Sequence, residues 1–436
     1  MSEQRVIIQR VSWSDLFPWT LIFRTLAPAT SLTVLVLALL GVLMCSMGWL
    51  MFETAIIGNE VADDPILSEI VERNRSPYRG VFDGITKRSE SIEIFGIYFS
   101  GPRMVFSRYV DPFTRIFQDS LGARPFLYFA CGITWMIGVW SLIGLMISRV
   151  ALLKLTRNEN LGLDDAFEYG LDHWLTSATA IFVPIIAIAG LCIPGFLIGL
   201  LMGYDIGVVV AGFFWIVILI CSGLIGFLIV GLMFGFPLVI ASVGCEGQNA
   251  FDAMTRSYAY VIQRPLHLAF YFLLTILFGG FCWTIVATLT NTVVELSFWS
   301  TSWGANIANP DRMDAIRIAS IEGSPESDVL SNGKSLIGIW NALIKTIAAA
   351  FIYGLFWSMA GAVYLLLRQN VDETELDEIY LAEEKRSYQL PPLQSDENGI
   401  PVVQNPMPVS DAGDQEMTGA DDNELPPHES DSGDSS

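Results

Sequence analysis

The chain has 436 residues, of which 52% are hydrophobic and 16% charged, against the roughly 25% charged residues of soluble domains. With a mean hydropathy of +0.49 this excludes an ordinary soluble enzyme and points to an all-α fold, a polytopic transmembrane helix bundle of about six spans. The formal net charge of -21 is compatible with lipid burial only if the acids are segregated.

Residues 1–26 read as a cytoplasmic interfacial segment, with Trp13, Leu16, Phe17, Trp19 and Phe23 as its loose apolar face. No short apolar core with a small-residue cleavage site occurs there, so the first span, 27–52, is expected to be kept as an anchor. The next segment, 53–124, holds nine basic and 11 acidic residues, net -2. Its last part, Pro102 to Leu121, sets basic residues between apolar ones and predicts an amphipathic helix on the outer leaflet, interrupted near Pro112. That helix would cap the bundle or receive an external partner. The second span is expected at 125–147, a cytoplasmic interfacial helix at 148–175 and the third span at 176–202.

The fourth span, 206–240, belongs to an apolar run reaching Gly244, long enough for a straight helix of about 60 Å. One span with a cytoplasmic extension is preferred to two short spans, because Gly235 and Pro237 offer a kink and no polar turn precedes them. A second interfacial helix follows at 245–265, then the fifth span at 266–293, an external segment at 294–335 and the sixth span at 336–367. Asp165-Ala166-Phe167-Glu168 and Asn249-Ala250-Phe251-Asp252 open two amphipathic stretches that precede outward spans, and with the looser apolar face before the first span they suggest three parallel repeats. Small residues at four-residue spacing, Gly195, Gly199 and Gly203, then Gly231 and Gly235, then Gly354, Ser358 and Ala362, predict close helix packing within the bundle. Self-association is left open.

Lys and Arg near the span ends, Arg10, Arg24, Arg149, Lys154, Arg157, Arg256, Arg264 and Arg368, place both termini on the cytoplasmic side of the membrane. The acidity sits in the last segment, 368–436. From Val371 onward there are 18 Asp and Glu against Lys385 and Arg386, net -16, leaving -5 for all preceding residues. Seven of the chain's 20 prolines fall there too, and Ser387 to Ser436 is expected to be disordered. Such a tail either solubilises or docks a basic protein partner.

Chemistry is sparse. His173, His267 and His428 form no metal-ligand spacing, and no glycine-rich phosphate loop or nucleophile motif occurs, so no cofactor, metal or catalytic residue is expected. The six cysteines lie in spans or at a span end, which predicts no disulfide framework, and the scattered basic residues predict no nucleic-acid binding. Two polar constellations stand out. Thr284, Thr288, Asn291 and Glu295 make a stripe on the outer half of the fifth span that, with Lys345, would line a small polar pocket or simply bond helix to helix. Glu246, Asp252, Arg256 and Arg264 would form a cytoplasmic charge cluster or a solvated face.

The block Gly231 to His267, with Glu246, Gly247, Phe251, Asp252, Ala253, Arg256, Ser257, Tyr258, Tyr260, Arg264 and Pro265, resembles a family of uncharacterised bacterial six-span membrane proteins. Phe17-Pro18-Trp19, Phe23-Arg24 and Gly48-Trp49 fit the same resemblance, which covers most of residues 12–305 and implies no activity. More loosely, the interfacial helices resemble those of non-catalytic membrane domains attached to bacterial phosphodiesterases. The expectation is a non-enzymatic membrane scaffold or assembly partner in the lipid bilayer, with a transporter or permease component as the alternative.

Overall fold

The computed structural model describes residues 17–58, 65–76, 78, 94–117, 122–309, 312–317, 328–376, 378–380, 394–395 and 401–402. It divides into Met1–Tyr380 and Leu381–Ser436. In the second unit the described residues are two short strands, β1 (Gln394–Ser395) and β2 (Pro401–Val402), paired antiparallel. The remainder of the expected disordered tail, like Trp13 and Leu16, lies outside the described residues.

In the first unit the chain enters through a turn at Pro18–Thr20 and two single-turn helices, α1 (Leu21–Arg24) and α2 (Leu26–Ala29). Thr30 and Ser31 stop α2 by bonding their hydroxyls back to the Leu26 and Pro28 carbonyls. Ser31 then caps α3 (Leu32–Phe52) by accepting the Val34 N–H. The first long helix therefore starts at Leu32 rather than Ala27. There follow α4 (Pro65–Arg75), α5 (Ile94–Ile116), α6 (Ala123–Thr156), α7 (Leu163–Leu201) and α8 (Asp205–Glu246). The bundle ends with α9 (Ala250–Gln263), α10 (Pro265–Ala308), α11 (Arg312–Arg317) and α12 (Asp328–Asp372). Six of these, α3, α6, α7, α8, α10 and α12, are long and apolar enough to cross a membrane.

Two differences from the sequence expectations have physical causes. The stretch around 163–175 is continuous with the third span: α7 runs unbroken from Leu163 to Leu201, with Pro184 and Pro194 inside it, because the break falls earlier, at Asn158 with its positive φ of 56°. In α8 the apolar run forms one helix with Pro237 inside it, as the preference for one span over two short ones has it. The helix α5 does not lie on the bundle's surface, nor does Pro112 interrupt it. Its Val105 and Tyr109 are buried, and the Tyr109 ring stacks on Phe356 and meets Trp140, Phe236, Tyr353 and Trp357 edge-on or tilted. An apolar face that finds aromatic partners across several helices gains packing that fluid lipid chains do not provide.

Helices α3 and α6 interlock by a reciprocal fit. The Trp49 ring lies where a Cβ on Gly132 would be, and Trp135 does the same over Gly48, while Trp135 Nε1 donates to the Met44 carbonyl at 3.0 Å. Two tryptophans can seat this closely only because the facing residue has no side chain. Helix α12 fills the centre, beside α3, α6, α8 and α10. Of the small-residue ladders, Gly354 meets Val34, Ser358 and Ala362 are fully buried, and Gly231 and Gly235 face Tyr258. Gly195 and Gly199, by contrast, face open space. That ladder does not pack inside the chain as expected, since α7 contacts α8 along another face.

Candidate interaction site at the base of the bundle

The end at which α6, α8 and α12 finish and α7, α9 and α10 begin is here called the base. Helix α8 brings Glu246 there, and Gly247 closes the helix in the left-handed conformation, φ 59°, donating its N–H to the Val243 carbonyl. The Tyr380 ring covers Gly247, and a Cβ at this position would come within 2.9 Å of it.

Glu246 is a hub. Tyr364 donates its hydroxyl at 2.7 Å, Arg256 Nη1 donates to Oε1 at 2.6 Å, and the Gln248 amide donates to Oε2. Arg368 Nε stands 3.2 Å from Oε1, an ion-pair distance without hydrogen-bond alignment. The same Arg368 sends Nη1 to the Glu378 carbonyl at 2.6 Å and to Cys245 Sγ at 3.5 Å. Asp372 accepts the Tyr260 hydroxyl and lies 3.8 Å from Arg256 Nη1. One carboxylate thus faces two guanidiniums in a largely buried setting, where removing a partner costs about 3–5 kcal/mol.

Beside the hub, Arg149 of α6 is 4% exposed and donates Nη1 to the Gly244 carbonyl at 2.9 Å and Nη2 to the Tyr380 carbonyl at 2.6 Å. Its guanidinium lies 4.4 Å from the centre of the Tyr169 ring, whose hydroxyl donates to Val243. Tyr380 in turn donates its N–H to the Cys245 carbonyl at 3.1 Å, and Ile379 is buried. The chain after α12 is therefore a strap that turns at Glu373, φ 56°, and is held by Arg149 and Arg368 through its main-chain carbonyls.

Electrostatics follow the geometry. Burial works to lower the Arg256 pKa, but the Glu246 carboxylate, with Tyr364 and Tyr260, outweighs it and holds the group above its ordinary value. Burial, and then Asp372, raises that of Tyr260. Burial pushes Tyr258 up to about 12; its hydroxyl donates to the Leu228 carbonyl.

Of the cluster expected from sequence, the fold joins Glu246 to Arg256. Asp252 and Arg264 stay exposed outside it. The reason is the face of α9 that packs inward, Ala253, Ser257, Tyr260 and Val261, which leaves Asp252 on the other side. The partners not anticipated are Arg149, Tyr169, Tyr260, Tyr364, Arg368, Asp372 and Tyr380. A signal existed for two of them: Arg149 and Arg368 sit at the ends of apolar runs, and a buried guanidinium demands acceptors. In the polar stripe, Thr284 donates to its own helix at Gly280, Thr288 is exposed and Asn291 half-buried. Glu295 on α10 and Lys345 on α12 lie on two helices that pack together, and neither residue is without a partner.

Among the described residues no three His, Cys, Asp or Glu side chains converge as metal ligands. Two large cavities are walled mainly by apolar groups: one of 380 Å³ by residues such as Phe113, Ile185 and Phe236, with Tyr109 and Thr114 also lining it, and another of 810 Å³ by residues such as Phe272, Ile276 and Met359, with Arg103 and Thr275 as its polar members.

No known protein family, characterised protein or solved structure matches this chain. The functional reading accordingly rests on the geometry at the base.

Proposed function

We propose that this protein is a non-enzymatic scaffold or assembly partner of a bacterial inner membrane, with its base and both termini on the cytoplasmic side and α9 lying along that interface. The observation that carries the reading is the pinning of the strap. Arg368 and Arg149 fix the chain at Glu378 and Tyr380, inside the acidic segment that begins after Val371, and 13 of that segment's 18 acids follow from Leu381 onward. A tail that served solubility alone would gain nothing from such an anchor, whereas a docking tail gains a defined origin and loses less entropy on binding. The partner is a protein with a basic surface, reached through the acidic residues beyond Arg386. The largely apolar walls of the two cavities, with Arg103 as their one charged residue, favour this reading over a polar transport pathway through the Thr284–Lys345 region, where a Glu295 to Lys345 contact would instead tie α10 to α12.

Copurification from membranes tests the proposal. Full-length protein is expected to retain basic partners that a chain truncated after Arg386 loses. Retention of every partner by the truncated chain would remove the docking role.

A further inference from the structure

A second feature of the base is independent of the strap. A pocket of about 470 Å³ opens between the α1–α2 turn and the last turn of α6. Two cations from distant parts of the chain, Arg24 and Lys154, line it, with Thr30 and Asn158 as neutral polar neighbours and Phe23, Leu26, Pro28 and Leu155 as apolar wall. Among the described residues no acid pairs with either cation, and Glu159, the acid closest in sequence to Lys154, does not line the pocket. The pocket also adjoins an aromatic cluster: Phe23 meets Phe278 edge-on at 5.0 Å, while Trp19 meets both Phe23 and Phe270. Such rings collect at membrane interfaces.

We propose that this pocket binds the headgroup of an anionic phospholipid, with Arg24 and Lys154 on the phosphate and Phe23, Leu26, Pro28 and Leu155 against the glycerol and upper acyl carbons. Three observations favour a lipid over a free phosphate ion. The volume lies within the 300–1,000 Å³ of small-molecule sites, well beyond one phosphate, and half the wall is apolar. Moreover, Lys154 stands in the last turn of the long apolar α6, and Arg24 closes the short α1 just ahead of the long apolar α3, at the helix ends where basic pockets meet lipid headgroups. The partial negative charge at the α6 C-terminus opposes an anion, but Lys154 and Arg157 in and after the last turn offset it.

The test uses the full chain in nanodiscs of phosphatidylcholine mixed with phosphatidylglycerol, with protein-bound lipid counted by native mass spectrometry. Wild type is expected to retain phosphatidylglycerol selectively. The double variant R24Q/K154Q should weaken that retention about thirtyfold, the effect of two cations near an anionic surface. Each single variant should weaken it about fivefold, which keeps the test decisive if the double variant does not fold. R264Q removes an exposed cation at the same end and should leave retention unchanged. Unaltered retention in R24Q and K154Q, or an equal loss in R264Q, would overturn the site. Displacement of the lipid by inorganic phosphate at millimolar concentration would overturn its assignment to a phospholipid.

Discussion

Helices α6 and α12 differ from α7 and α8 in what surrounds them, although all four are apolar. In the most apolar windows of α6 and α12, 89% and 94% of residues are buried within the chain; in those of α7 and α8 the figures are 11% and 6%. The first pair carries the aromatic core, with Trp140 stacked on Tyr353 at 5.1 Å, and also the two strap-holding arginines. The second pair turns residues such as Ile193, Phe213 and Ile220 outward. Protein therefore solvates one pair, and the bilayer is left to solvate the other. The difference shows where specificity is stored: the inner pair is sensitive to shape, the outer pair only to polarity.

The largest expected effect comes from breaking the inner pair at its charged end. R368A leaves Glu246 without one of its two guanidiniums and should cost about 3–5 kcal/mol, read as a lower midpoint of thermal unfolding in detergent. The same variant should expose the strap to limited proteolysis near Glu378; a strap that stays protected would show that Arg149 alone holds it.

On the outer pair, I220R should lower membrane insertion by about 2.5–3.5 kcal/mol in an insertion assay, because Ile220 lies mid-helix and 59% exposed. I220A should change unfolding by no more than about 0.5 kcal/mol. A shift of oligomeric state in I220A would mean that another copy of the chain, not lipid, covers this face.

Between these sizes, G132A tests the interlock of α3 and α6. The new methyl group meets the Trp49 ring, and the repacking should cost about 1–3 kcal/mol in thermal unfolding, while G199A, facing open space, should cost almost nothing.

The smallest effect is on pH. Tyr258 has a folded pKa raised to about 12 from an ordinary 10, so the stability it contributes is complete below pH 10 and is lost as pH rises through 12. Hydrogen exchange of α9 should accelerate across that window, and Y258F should remove part of the acceleration.

How much of this was legible in the sequence depends on the kind of interaction. Hydropathy marked all six long helices, and composition placed -16 of the charge after Val371. It could not place α5: a stripe of Val105, Tyr109 and Phe113 with basic neighbours suits a membrane surface and a bundle interior equally. At the base, Glu246 and Arg256 lie ten residues apart and were found together. By contrast, Tyr364 and Arg368 reach the Glu246 carboxylate, and Asp372 reaches Arg256, from more than a hundred residues away, a pairing that no local spacing encodes.

The sequence by itself therefore determined that this chain has six long helices apolar enough for a membrane and its acidity segregated at one end, because burial energy in lipid and the entropy of a polar tail are both compositional. Only the tertiary structure decided which apolar helices face protein and which face lipid. Hydrocarbon and protein interior are nearly equivalent to a Leu or Ile, and the choice is made by shape, as at Trp49 on Gly132. Only the tertiary structure, too, turned two arginines that look like topology markers into the clamps of a strap, since a guanidinium at the end of an apolar helix takes its role from the carbonyls that the fold brings to it.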